Sequence, residues 1–339
     1  MTIRPAIVLA LAAIGAGAAA LPAAIDPAFA DFLSHQMKFS ASELNALARG
    51  RTVRHSLGAT TPGEVAAVGA TWVDASPDAF LERFRDIVRF KRDEDVLQIG
   101  RFHDPPVIED LAGLTVGDDD LDAEDCRIGD CDVRLPSTDI VRFAREIDWK
   151  AAGARAKAAA LFKRMLMDHV ASYWSGGAGR IAEYNDDKRP IQPGVEFGGI
   201  LNNSPYLNEL VPGLSEHLRN FPAARLAGSE DFLYWSKEKF GIAPFITVTH
   251  ITISRAPSGT LVITSKDVYS SRYFDASVGL TIASKSQGGG FVLVYANRSR
   301  ASALKGSFGA LRRAVVDRRV RGSLEQGLKA IKSRLEGNK

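Results

Sequence analysis

The last third of the chain, residues 245–336, most constrains the fold. Apolar and β-branched residues fill four strand-length segments, which are joined by short connections: Phe245–Ser254, Leu261–Tyr269, Phe274–Ala283 and Phe291–Ala296. In the third segment, apolar residues at even positions alternate with polar or small ones, the period of two that indicates one buried sheet face. Short connections between such strands favour antiparallel neighbours.

A long, basic helix is predicted to end the chain. Its apolar residues recur at helical spacing: Phe308, Leu311, Val315, Val320, Leu324, Leu328, Ile331 and Leu335. Residues 305–339 also carry ten cations against three anions, which would suit contact with an anionic membrane surface. Because the apolar stripe is continuous, we favour a helix packed on a sheet, and we keep peripheral membrane contact as an alternative.

The preceding residues predict further strands and then helices. Val65–Val73 and Val96–Phe102 have strand character, and a third strand is predicted through Val133 and Leu135. Ser76-Pro77-Asp78 opens a helix, with serine as N-cap and proline at the first helical position. From about 137 to 240 the pattern is helical, including pieces at 206–218 and 231–239. We predict one α+β domain that carries this segment as a helical insertion.

The first thirty residues have the pattern of an export signal. Arg4 precedes an uncharged apolar run at 6–21, and Ala28-Phe29-Ala30 supplies the small residues that signal peptidase accepts. The run is short and rich in alanine and glycine for a membrane span, although an uncleaved anchor is the alternative. We expect a mature chain of residues 31–339, periplasmic in a Gram-negative cell and otherwise secreted, with no nucleic-acid partner.

Cys126 and Cys131 are the only two cysteines, and an even pair in an exported chain favours a disulfide. Four spacer residues including a glycine suit a tight hairpin loop, whose flanking Cα atoms face each other about 5.5 Å apart. Redox catalysis would prefer two spacer residues, and a structural metal site would need four ligands. We predict a structural disulfide; two free thiols are the alternative.

The predicted order is strand, helix, two strands, a helical insertion, four strands and a long helix. This order resembles the START-like helix-grip superfamily, whose members have seven strands wrapped around a C-terminal helix. The resemblance covers 65–135 and 245–336, and Phe274–Ile282, Phe291–Ala296 and Arg312–Leu335 carry it most closely. It implies a seven-stranded antiparallel curved sheet that grips the last helix around an apolar cavity. Ordinary single-domain members lack the insertion, and members commonly bind lipids, sterols, polyketides or aromatic ligands.

Five polar residues in or beside the strands are candidate ligand contacts: His250, Tyr269, Arg272, Tyr273 and Asp275. An apolar cavity needs a few polar groups to orient its ligand. The alternative is that these are ordinary hydrogen-bonded sheet residues and exposed cross-strand pairs.

No catalytic or metal-binding pattern stands out. Ser-x-x-Lys occurs twice, at Ser236/Lys239 and Ser302/Lys305, without the companion motifs of penicillin-recognising enzymes. No histidines have metal-ligand spacing. The acidic stretch at 117–132 lacks the spacing of an EF-hand and predicts a solvated loop. We therefore predict no catalytic residue, no metal and no cofactor.

The function that these observations favour is an exported protein that binds or carries a hydrophobic, lipid-like or aromatic small molecule. One alternative is an envelope interaction or assembly protein that acts through the helical insertion or the basic last helix. The other is an enzyme in the same cavity, cyclase- or hydrolase-like, with His250, Tyr273 or Asp275 as acid–base groups.

Overall fold

The computed structural model describes residues 25–239, 243–305 and 309–337, and within them it contains one antiparallel sheet of eight strands. The strands are β1 (Val53–Ser56), β2 (Glu64–Val73), β3 (Val96–Arg101), β4 (Glu230–Lys239), β5 (Pro244–Arg255), β6 (Leu261–Ser270), β7 (Ala276–Lys285) and β8 (Phe291–Arg300). Their order across the sheet is β1-β2-β8-β7-β6-β5-β4-β3. The α+β class and the terminal helix agree with the sequence prediction, but the count of seven strands was wrong.

Three differences account for the new count. β4 was predicted to be helical, yet it pairs with β5 along its whole length. Its run Phe232–Trp235 is buried on both faces, so it shows no alternation by which a strand could be recognised. The predicted strand through Val133 and Leu135 is an irregular buried segment, and the short β1 pairs with β2 at the sheet edge.

Ten α-helices surround the sheet in the described ranges. They are α1 (Pro27–His35), α2 (Ala41–Ala48), α3 (Pro77–Arg85), α4 (Ile87–Phe90), α5 (Ser137–Glu146), α6 (Ala154–Gly176), α7 (Pro193–Asn202), α8 (Tyr206–Leu210), α9 (Leu214–Asn220) and α10 (Gly309–Leu335). Ser76 caps α3 by accepting a hydrogen bond from Ala79 N, as predicted. None of the helices in the ranges given above is long and apolar enough to cross a membrane.

The two faces of the sheet pack against different helices. Val262 belongs to an apolar cluster with α1, α2 and α7–α9, whereas its neighbour Ile263 belongs to a cluster with α3, α4 and α10. Successive strand residues point to opposite faces, so the two clusters lie on opposite sides of the sheet. The helices α7–α9 of the predicted insertion therefore cover one face together with α1 and α2, whereas the end of that segment is strand β4; the terminal helix packs on the other face.

α10 packs closely on β2. A Cβ added at Gly69 would clash with the ends of the Leu324 and Leu328 side chains, so a larger residue here would require these leucines to shift. Leu324, Leu328 and Leu335 of the predicted apolar stripe are buried, and Val320 and Ile331 are partly buried. Phe308 and the side chains of Leu311 and Val315 lie outside the described residues, as do residues 1–24 of the predicted export signal.

The predicted disulfide between Cys126 and Cys131 is formed, with the two Cα atoms 4.4 Å apart. Arg127 N donates to Asp130 O and Asp130 N donates to Arg127 O, so the loop is a tight turn. Cys126 is buried in the cluster that covers one end of the sheet, beneath α5 and α6. The disulfide therefore closes a loop that packs on the core.

Replacing both cysteines by alanine is expected to lower the free energy of unfolding by roughly 2 kcal/mol, because closing so short a loop removes little entropy from the unfolded chain. Urea unfolding followed by tryptophan fluorescence measures the loss. Reduction of the unaltered protein should lower the urea midpoint as much as the double alanine replacement does. An unchanged midpoint in both experiments would contradict the prediction.

Candidate functional site

A cavity of about 280 Å3 lies between the sheet and α10. Strands β5 to β8 contribute polar side chains to its floor: Thr247, Thr249, Ser265, Asp267, Ser277, Asn297 and Ser299. Apolar side chains form its walls: Val65, Phe245, Phe274, Ala301, Ala303, Leu304, Val316 and Val320. Lys91, Tyr234, Glu238, Tyr273 and Tyr295 complete the lining. The predicted cavity position thus holds a space whose lining is amphipathic.

The floor is polar because each strand changes character along one face. In β6, Leu261 and Ile263 pack against the apolar cluster under α10, and Ser265 and Asp267 follow them on the same face. β8 shows the same change: Leu293 packs in the apolar cluster, and Asn297 and Ser299 follow it on the same face and line the cavity. The same sheet face is consequently core at one end and cavity floor at the other.

Hydrogen bonds fix part of this floor. Asn297 Nδ2 donates to Ser277 Oγ at 3.1 Å, and the Ser299 hydroxyl lies 2.9 Å from Ser277 Oγ. Thr249 Oγ1 donates to Asp267 Oδ1 at 3.1 Å. These bonds join neighbouring strands, so the polar groups are held in defined positions facing the cavity.

One charged pair on the lining is already neutralised. Lys91 Nζ lies 2.9 Å from Glu238 Oε1 and donates to Tyr234 OH at 3.1 Å. Burial alone would lower the pKa of Lys91, but the Glu238 carboxylate raises that pKa well above its usual value. The reciprocal attraction lowers the pKa of Glu238 despite burial. Both groups therefore stay ionised and balance each other.

Asp267 differs from this pair, since it has no cationic partner in the described part of the chain. Burial raises the pKa of Asp267 to about 7, although hydrogen bonds from Thr249 and Ser277 oppose that rise. The group is partly accessible and borders the cavity. It can hold or release a proton, or accept a hydrogen bond from a bound molecule, near neutral pH.

Of the five candidate contacts, Tyr273 is the one that lines the cavity. Its hydroxyl donates to Ala243 O at 2.8 Å and accepts from Ala243 N at 3.0 Å. Its φ of 67° lies in the left-handed region, which is uncommon for a residue other than glycine. Tyr273 thus stands beside the cavity with its hydroxyl engaged by the backbone ahead of β5.

A bulge explains why Tyr269 does not join it. Val248 pairs with Tyr269 and Thr249 pairs with Asp267, so Val268 is an extra residue in β6. Val268 and Tyr269 both lie in the cluster beneath α5 and α6, on the face opposite the cavity. The Tyr269 hydroxyl donates to Arg134 O at 3.1 Å.

Asp275 and Arg272 also lie away from the cavity lining. Asp275 is almost fully buried, with Oδ1 2.6 Å from Arg134 Nη2 and Oδ2 accepting from the Ser302 hydroxyl at 2.7 Å. Arg272 is half-buried, its carbonyl accepts from the Ser270 hydroxyl, and its Nε has no hydrogen-bond partner among the described residues. Asp275 therefore anchors the loop before β7 to the segment that follows the disulfide.

His250 belongs to a buried cluster on the opposite face of the sheet. Its Nε2 lies 3.1 Å from Asp231 Oδ1, and its Nδ1 lies 2.7 Å from the Tyr173 hydroxyl of α6. His217 Nε2 also lies 3.0 Å from Asp231 Oδ1. Burial opposes the charge, but the hydrogen bonds from both histidines hold the pKa of Asp231 well below its usual range. Burial lowers the pKa of His250, so a neutral ring is favoured.

Lys266 extends this buried layer. Its Nζ donates to Leu218 O at 3.0 Å and lies 4.1 Å from the ring centroid of Phe197. Burial lowers the pKa of Lys266 to about 7. Lys266 and Asp267 are neighbours in sequence, but their side chains point to opposite faces of the sheet and lie in different environments.

No group of three metal-ligating side chains occurs in the described residues. In the acidic stretch, Asp120 is buried with Oδ2 2.6 Å from Lys237 Nζ, and Asp118 pairs with Arg155 at 2.7 Å. The prediction of a wholly solvated loop was therefore wrong for Asp120, which ties this stretch to β4.

Comparison with known proteins adds no relative: no protein-family model matches the chain, and no curated protein matches it.

Sequence reasoning did not select Asp267, Lys91 or Glu238. A signal for Asp267 was present, since Leu261, Ile263, Ser265 and Asp267 share one strand face that turns from apolar to polar. The pairing of Lys91 with Glu238 joins residues far apart in sequence, and β4 was not recognised as a strand. These contacts follow from the sheet order rather than from a local pattern.

Asp267→Asn is expected to raise the free energy of unfolding by about 1–3 kcal/mol at pH 8, and by less at pH 5. With a folded pKa of about 7 against an ordinary 3.8, ionisation favours the unfolded chain as the pH rises from 4 to 7, and the full cost applies above pH 7. Urea unfolding at the two pH values measures this.

Asp231→Asn is the matched control, because the lowered pKa of Asp231 predicts the opposite sign at pH 8: removal of its charge destabilises the fold. Equal stability of Asp267→Asn and the unaltered protein at both pH values would contradict the expected cost of the Asp267 charge.

Proposed function

We propose that this protein binds a small amphipathic molecule in the cavity between the sheet and α10. The observation that carries the proposal is the division of the lining into apolar walls and a hydrogen-bonded polar floor. Ligand sites typically combine apolar surface with a few fixed polar groups that orient the ligand. The lining supports an amphipathic ligand better than the purely hydrophobic one expected from the sequence.

The cavity volume limits the size of that molecule. A cavity of about 150 Å3 accepts benzene, and drug-sized ligands occupy about 300–1,000 Å3. A volume of about 280 Å3 therefore suits a single substituted ring or a short chain. A lipid with two acyl chains would not be enclosed.

The topology supports the proposed relation to the helix-grip superfamily. Without the short edge strand β1, strands β2 to β8 form a continuous set of seven, and α10 follows them on one face. The helical insertion packs on the other face and leaves the cavity side to α10. Strand number and helix position are architectural features, so the relation is a proposal about fold and ligand class.

The arrangement favours binding over the acid–base catalysis considered from the sequence. An acid–base group must reach the proton that it transfers. Tyr273 lines the cavity, but His250 and Asp275 are engaged elsewhere. Two of the three predicted acid–base residues therefore do not line the cavity.

Four cations of α10 support packing rather than membrane contact. Lys332 Nζ donates to Trp72 O at 2.6 Å, and Arg334 Nη1 donates to Phe90 O at 3.0 Å. Lys329 and Arg321 pair with acids one helical turn away. Cations that are held by backbone carbonyls and carboxylates attract lipid headgroups less than free ones do.

Ala303→Trp is expected to weaken binding of 4-ethylphenol at least tenfold, because Ala303 is exposed at the edge of the cavity and a large ring there fills the entrance. Ligand-detected NMR and calorimetric titration measure the affinity. Ala303→Ser is the control of similar size and should bind as the unaltered protein does. No binding by the unaltered protein across a panel of single-ring phenols, alcohols and amines would contradict the proposal.

Export is part of the proposed function, and processing tests it. The predicted cleavage bond between Ala30 and Asp31 lies inside α1, whose cap Asp26 and buried Phe29 precede that bond. Phe32 and Leu33, which are buried, would keep the remaining half in the core. The intact mass of protein recovered from the cell envelope or medium should correspond to residues 31–339. Recovery of the unprocessed chain in the cytoplasm would contradict it.

A further inference from the structure

We propose that the molecule bound in this cavity carries a cationic amine, and that the Asp267 carboxylate is the group that holds it. This inference rests on the proposed function and specifies the chemical class of the ligand. It comes from one unbalanced charge among groups that are otherwise satisfied.

The first step concerns the hydrogen bonds of Asp267. A carboxylate has about four acceptor positions on its two oxygens. The Thr249 hydroxyl donates to Oδ1 at 3.1 Å, and Ser277 is the other side-chain donor. Two hydroxyl donors leave acceptor capacity on a group that borders the cavity.

The second step concerns the surrounding charges. The ionised groups that act on Asp267 are Lys91 and Glu238, which form their own pair at 2.9 Å and cancel at a distance. Burial raises the pKa of Tyr184 well above its usual value and that of Tyr295 to about 12, so neither phenol adds charge near neutral pH. When Asp267 ionises, it therefore adds a negative charge for which the described residues supply no separate cation. A half-buried charge without a partner is costly until one arrives.

The third step concerns the aromatic rings. Phe245, Phe274, Tyr234, Tyr273 and Tyr295 all contribute to the lining. Aromatic faces attract cations, more strongly where water is excluded. The Lys91 ammonium already lies 5.1 Å from the ring centroid of Tyr234, so one ring of the cavity holds a cation in the free protein.

These features select among ligands of similar size. An amine can donate to Asp267, balance its charge and contact the rings, whereas a neutral phenol can only fill the cavity and hydrogen-bond to the floor. A carboxylate ligand would face Asp267 and be repelled. The expected ligand is a single-ring or short-chain amine whose apolar part contacts the walls formed by Leu304 and Val320.

The test compares two probes that differ by one amine: 4-ethylphenol and tyramine. Calorimetric titration at pH 8 should give about 10- to 100-fold tighter binding of tyramine, the range for a hydrogen bond to a charged group. In Asp267→Asn this advantage should disappear, while 4-ethylphenol binds as before. Asp78→Asn, which removes an exposed carboxylate on α3, is the matched control and should retain the advantage.

A pH series with the N,N,N-trimethyl derivative of tyramine separates the protein's titration from that of the probe, because its charge is fixed. Its affinity should rise about tenfold from pH 6 to pH 8 as Asp267 loses its proton, and should stay level in Asp267→Asn.

The outcomes distinguish the proposal of an amine ligand from the proposal that the cavity binds a small molecule. Equal affinity for 4-ethylphenol and tyramine would contradict the proposed preference for an amine, but not the proposal that the cavity binds a small molecule. An advantage for tyramine that survives in Asp267→Asn would overturn the role of Asp267. Absence of binding by both probes would count against the cavity itself as well as the amine.

Discussion

The central strands are buried on both faces, and the rest of the structure depends on this constraint. Residues one apart in β5 to β8 face two different helical layers, so each strand must satisfy two environments at once. On one side α1, α2 and the helices α5 to α9 cover the sheet, mostly with apolar side chains. On the other, α10 packs on β2 near Gly69, and farther along the strands the lining changes from core to cavity floor.

How much could be predicted from sequence depended on how local each signal was. The alternation in β7 and the apolar stripe of α10 were sufficient to predict a strand and a helix, because these periods can be recognised from neighbouring residues. β4 was missed because large apolar and aromatic residues occupy both faces of Phe232–Trp235, which leaves no alternation in the sequence. The position of Tyr269 depended on the bulge at Val268, a one-residue shift that appears only when the pairing of β5 with β6 is known.

Two half-buried aspartates show why burial alone does not identify a site. Asp231 accepts hydrogen bonds from two histidines and from the Thr252 hydroxyl, so its charge is stabilised inside the protein. Asp267 has hydroxyl donors but no cationic partner in the described part of the chain, and it borders the cavity. The hydrogen bonds of Asp231 join α9, β4 and β5 into a rigid unit. The Asp267 carboxylate instead carries a charge that a cationic ligand can neutralise.

The separation of the two faces has a consequence for how such a protein can diverge. Thr249 and His250 are adjacent in the chain, yet the first lines the cavity and the second lies in the buried cluster under α6. Substitutions at floor positions can therefore change ligand preference with little effect on the opposite layer, since sites without shared partners act nearly independently. A lineage built on this sheet could explore new small molecules one floor residue at a time while the packing of the opposite layer is inherited unchanged.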